Sequence, residues 1–150
     1  MEKEFYKGFY KYQGKSLPKK MERVSTNFEI KITDSSDSNF NGIILDDTKS
    51  GGMPGKGTIT GQYKNDEISF IKQMPNAGIY LPNGKVKILR QKHSPILYKG
   101  KRDNNGVIKG HWKMKFRLKV LGILTVPLGT TKGTWEMLEN ENPTKAIFNA

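Results

Sequence analysis

The stretch Val107-Ile108-Lys109-Gly110-His111-Trp112-Lys113-Met114-Lys115-Phe116-Arg117-Leu118-Lys119-Val120 changes character at every step. Ile108, Gly110, Trp112, Met114, Phe116, Leu118 and Val120 fall on one parity, and Lys109, His111, Lys113, Lys115, Arg117 and Lys119 on the other. A helix would scatter both sets around its circumference. A strand sends every basic group to water and every apolar group to a core. The pattern predicts one long strand with a single buried face.

Working outward, Val24, Thr26, Phe28, Ile30 and Ile32 repeat the alternation against Ser25, Asn27, Glu29, Lys31 and Thr33. Shorter runs of the same kind cover Phe5–Tyr12, Phe40–Asp46, Lys56–Tyr63, Glu67–Met74, Lys85–Arg90, Pro95–Lys101 and Thr130–Leu138. Turn chemistry separates them at 34–39, at Lys64-Asn65-Asp66, at Pro82-Asn83-Gly84 and at Asp103-Asn104-Asn105-Gly106. Nine short strands without a long amphipathic helix predict an all-β protein. Glycine beside a large residue on the same face recurs, and small barrels use that alternation to fit their taper. The expected architecture is an antiparallel up-and-down (meander) β-barrel of eight to nine strands, which also removes exposed sheet edges.

Gly57-x-Ile59-x-Gly61, Phe70-x-Lys72, Tyr98-x-Gly100, Ile108-x-Gly110-x-Trp112 and Gly133-x-Trp135 together resemble the lipocalin-like (calycin-like) barrels, most of all small bacterial ones. The likeness runs from Tyr6 to Leu138. Gly8-Phe9-Tyr10 stands where the better-known members begin with Gly-x-Trp. The resemblance implies a barrel around a central core or cavity that binds small apolar molecules, in a class where few members catalyse anything.

At 150 residues the chain has the length of one domain. Residues 1–138 are read as the barrel and 139–150 as a frayed tail. Cysteine is absent, which excludes a disulfide framework, a thiolate nucleophile and a Cys-ligated metal. The start, Met1-Glu2-Lys3-Glu4-Phe5, lacks the pattern of a secretory signal. The apolar stretch near Val120–Leu128 is far shorter than the roughly 20 residues of a membrane span. A cytoplasmic protein without a membrane span is expected. Lysine and arginine number 26 against 14 acids, for a net charge of +12. Because 22 of those 26 are lysine (26 less Arg23, Arg90, Arg102 and Arg117), nucleic acid is the less favoured anionic partner.

No constellation in the sequence nominates a catalytic residue, a cofactor or a metal. Gly51-Gly52-Met53-Pro54-Gly55-Lys56-Gly57-Thr58 lacks the spacing and the following helix of a phosphate loop. The histidines, His93 and His111, have no Cys partners. The acids at 34–39 and Asp46-Asp47 lack calcium-loop spacing. Lys72 shares parity with Ile68, Phe70 and Met74, and Arg90 with Val86 and Ile88. Two inward cations beside Tyr63, Phe70, Tyr98, Trp112 and Trp135 would need partners, and no acid on those faces stands out. The expectation is a small apolar or amphipathic anionic ligand inside the barrel, against a competing reading in which Lys72 snorkels to the rim and the tryptophans fill the core. A second expectation is a protein-interaction module that uses the basic outer face or the apolar 121–129 segment. That segment could close the barrel mouth, extend its two strands, or meet a partner.

Overall fold

The computed structural model describes residues 1, 3–14, 24–80, 86–120 and 124–150, with the backbone alone at 79–80, 86, 116–120 and 124–128. The alternating segments form β1 (Phe5–Gln13), β2 (Ser25–Ser36), β3 (Asn39–Asp46), β4 (Lys56–Lys64), β5 (Glu67–Gln73), β6 (Gly78–Tyr80), β7 (Val86–Ile88), β8 (Ile96–Arg102), β9 (Ile108–Val120) and β10 (Leu124–Glu139). Eight of them close a barrel in the order β1-β10-β9-β8-β5-β4-β3-β2, every neighbour antiparallel. The expected up-and-down barrel is the observed fold. Ile30, Phe40, Ile44, Ile59, Phe70 and Trp135, each at most 2% exposed, fill its interior from five strands.

Strand direction alternates, so the connections gather on two rims. One rim carries tight turns at Asp37-Ser38, Asn65-Asp66 and 103–107. Asn65 and Asp66 take φ of 52° and 63°, the left-handed pair that matches the twist of a hairpin. At the other rim lie the strand ends Gln13, Ser25, Asp46, Lys56, Gln73, Ile96, Val120 and Leu124. The glycine-rich segment 51–58 follows a 3-10 turn, Thr48–Ser50, and enters strand β4 at Lys56.

The two Gly-x-Trp motifs explain how the wall bends. β9 and β10 pair so that Trp112 faces Gly133 and Gly110 faces Trp135. The Trp112 indole lies over Gly133, the Trp135 indole lies against Gly100 of β8, and both reach backbone oxygen. Trp112 Nε1 donates to Lys11 O at 3.2 Å, and Trp135 Nε1 to Lys99 O and His111 O at 3.2 Å each. A Cβ on Gly133 would stand 1.8 Å from Lys11 O, and one on Gly110 1.9 Å from Lys99 O. Only glycine permits that approach.

Two expectations are corrected, and of the alternatives for 121–129 strand extension is the one observed. The strand read at Lys85–Arg90 is not in the barrel: its core, β7, pairs with β6 in a separate two-stranded ribbon inside the 74–95 connection. The 139–150 tail packs onto the barrel, with a short helix α1 (Lys145–Phe148) capped by Thr144. Ile147 is fully buried, and Phe148 stacks on Phe5 at 5.9 Å. In the 121–129 segment, Leu124–Gly129 continue the ladder with β9 as strand rather than covering the mouth. β8 leaves β9 at Met114 and β1 leaves β10 at Gln13↔Lys132, so beyond these points the two strands pair only with each other among the described residues. Residues 121–123 lie outside the described residues.

Candidate functional site

Parity on β5 turns Lys72 inward, and its side chain is 1% exposed. Its partner is Asp46, the last residue of β3. Asp46 follows Phe40, Gly42 and Ile44 on the inward parity, and its carboxylate is equally buried. Lys72 Nζ donates to both carboxylate oxygens, at 2.5 and 2.7 Å. The ammonium also stands 5.0 Å above the Tyr10 ring, and the Tyr10 hydroxyl donates to Asp46 Oδ2 at 3.4 Å. Burial holds the Lys72 ammonium below its ordinary pKa, opposed by the Asp46 charge and hydrogen bonds. Burial, then the Asp46 charge, pushes the Tyr10 and Tyr98 phenols well above the usual range. His93 enters from the 74–95 connection with Nδ1 2.7 Å from Ser94 O, and burial lowers its pKa.

This overturns the unpartnered cation expected from the sequence. Phe70, Tyr98 and Trp135 form a packed centre: Phe70 stacks on Tyr98 at 4.7 Å, and Trp135 meets them edge-on at 5.5 and 5.6 Å. Trp112 lies nearer the loop rim, edge-on to Tyr12 at 5.0 Å. Tyr63 belongs to the turn rim, where its hydroxyl donates to Asp66 Oδ1 at 3.0 Å. Arg90 is exposed on the connection after β7, so it does not join Lys72. Lys72, Tyr98 and Trp112 do share a cavity, with Tyr10, Tyr12, Asp46, Met53 and His93 among its walls. Its volume is about 30 Å³. That is room for on the order of one or two waters, against the several hundred Å³ of organic-ligand sites.

The outside of the barrel is built differently. Outward residues of β8, β9, β10 and the end of β1 bring together Lys99, Lys101, Lys109, His111, Lys113, Lys115, Lys132 and Lys11, all exposed. In the register Lys101 stands directly opposite Lys109, Lys99 opposite His111, and Lys113 opposite Lys132. Like charges in such positions are destabilising. Asp103 relieves Lys109 at 3.2 Å, and Glu136 is the acid on the outward parity of β10, whereas Lys113 and Lys132 have no ion pair among the described residues. A shallow concavity of about 700 Å³ crosses this face, floored by Gly100, Gly110 and Trp135.

Among the described residues no group of three His, Cys, Asp or Glu could hold a metal, and no helix is long and apolar enough to cross a membrane. Asp46 serves Lys72, while Asp47 accepts from Lys49 N at 3.0 Å to cap the 3-10 turn, so the two neighbouring acids face different tasks. Fold and site together define a closed, packed antiparallel barrel with an internal ion pair and a lysine-rich outer wall. No known protein family, curated protein or solved structure matches the chain.

Proposed function

We propose that this protein is a non-catalytic recognition module, lipocalin-like in architecture, which binds an acidic protein surface through the outer face of β8, β9 and β10. The observation that carries the reading is the register of that face, which holds Lys113 against Lys132 and Lys101 against Lys109. A wall selected for stability alone would alternate charge signs there. The interior supports the same direction, because Asp46 already answers Lys72 and little volume is left beside them.

An acidic protein suits this face better than nucleic acid. Its cations are lysines, point charges without the bidentate fork that reads guanine and phosphate. Its phenyl ring, Phe9, carries the Lys11 ammonium 5.3 Å from the ring centre, where a stacking base would have to lie.

Calorimetric titration with poly-L-glutamate tests the reading. Binding is expected to weaken by about tenfold from low to physiological salt, as exposed charge pairs are screened. Lys113→Glu with Lys132→Glu is expected to remove it, while Lys49→Glu with Lys64→Glu, equal in charge, leaves it nearly unchanged. Equal losses in the two pairs would reduce the effect to net charge and overturn the proposal. Tighter binding of single-stranded DNA of the same charge would replace the acidic protein by nucleic acid.

A further inference from the structure

The wall of β1, β2 and β3 has its own construction. One row of directly opposed residues crosses five strands: Leu138 on β10, Lys7 on β1, Glu29 on β2, Leu45 on β3 and Lys56 on β4. The C-terminal segment lies over this row, fixed by the buried Ile147 and by Lys31 Nζ donating to Phe148 O at 3.0 Å. Between segment and barrel runs a groove of about 770 Å³, walled by Phe9, Leu45, Leu138 and Ala146 and carrying Lys7 and Lys56. Unlike the interior cavity, it has the volume of a small-molecule site.

The charges along this groove are unequally engaged. Glu29 accepts from Asn140 Nδ2 at 2.7 Å, from Thr144 N at 3.2 Å and from the Thr144 hydroxyl, so its carboxylate ties the tail to the barrel. Asp47 is occupied in capping the 3-10 turn. Lys56 Nζ donates to Ala150 O at 3.1 Å. Lys7 is exposed and has no ion pair among the described residues. The three carboxylates of the lining each hold a donor of the fold, Asp46 that of Lys72, whereas the exposed Lys7 ammonium has no ion pair among the described residues and stands beside apolar walls.

We infer that this groove binds a small amphipathic carboxylate, with its acid group on Lys7 and its apolar body along Phe9, Leu45 and Leu138. The inference is independent of the acidic-partner face, which uses other lysines. The electrostatic contact is exposed and modest, so the apolar walls supply most of the affinity and Lys7 supplies the preference for an anion.

The probe is dodecanoate, kept below its micelle concentration and followed by calorimetry and by amide chemical shifts. The expected result is saturable binding of one molecule, with shifts at Phe9, Leu45, Leu138 and Ala146. Lys7→Glu is expected to weaken it by about tenfold, and Leu138→Glu to abolish it; both side chains are exposed, so the fold is retained. Lys113→Glu with Lys132→Glu should leave this binding intact, which separates it from the proposed acidic-partner site. Three results would overturn the inference: no saturable binding, equal binding of dodecyltrimethylammonium, or quenching of tryptophan emission by a chain-brominated dodecanoate. The last would put the chain beside Trp112 or Trp135, inside the barrel.

Discussion

Lys72 and Asp46 are the residues on which the interior turns. Their side chains are each 1% exposed and answer one another bidentately. Removing one member of such a pair leaves an uncompensated buried charge, which costs about 3–5 kcal/mol, whereas replacing both by apolar groups is close to neutral. Lys72→Met is therefore expected to lower stability by roughly that amount in denaturant titration, and Lys72→Met with Asp46→Leu to recover most of it. If the double variant were as unstable as the single, the pair would not be the reason. His93 gives a pH dependence of defined sign. Its folded pKa lies below 6.5, so between that value and 6.5 the unfolded chain binds the proton and the folded one does not. Stability conferred by neutral His93 is complete above 6.5 and is lost as pH falls through the window beneath it. Thermal unfolding at falling pH should show the loss, and His93→Gln should flatten it. The inward position of Lys72 was legible from parity. Asp46 was equally legible, since Phe40, Gly42 and Ile44 lead to it by twos, but at the strand end beside Asp47 it does not stand out as an inward acid.

At the scale of elements, the β9–β10 hairpin and the tail carry the clearest tests. Gly133→Ala would drive a methyl against Lys11 O and the Trp112 indole. Overpacking of this kind costs roughly 1–3 kcal/mol and sometimes more. Denaturant titration should show at least that loss, whereas Gly106→Ala, whose Cβ position meets only Arg102 Nη2 at 3.8 Å but whose φ is +81°, should show only a modest backbone penalty. For the tail, Ile147→Ala should destabilise its docking by about 2–4 kcal/mol. Amide exchange at 144–149 should then quicken ahead of the barrel; unchanged protection would mean that Ile147 does not hold the segment. The sequence displayed the strands because alternation is a local property. It did not display partnership: periodicity marked a strand near Val86–Ile88 but could not show that β6, not the barrel, pairs with it, and so Arg90 was set beside Lys72 in error. The tail was misread for a similar reason, since Thr144 followed by Ile147 and Phe148 is a short capped turn whose burial depends on a wall elsewhere in the chain.

For the whole molecule, closure of eight strands sorts the side chains into two populations with different work. Aromatic and aliphatic groups complete the interior around one ion pair, and lysines from strands far apart in sequence converge outside. The basic parity of Lys109 to Lys119 could be read locally. The addition of Lys99, Lys101, Lys132 and Lys11 to that wall is a product of register, and no window of sequence contains it. Such a body is expected to recognise partners on its surface while its core stays shut. The most direct measurement is an amide chemical-shift map of the protein titrated with poly-L-glutamate. Shifts are expected at Lys99, Lys101, His111, Lys113 and Lys132, with Tyr12, Lys72 and Trp112 unmoved. Shifts centred on Tyr12, Lys72 and Trp112, with the outer lysines silent, would contradict that expectation.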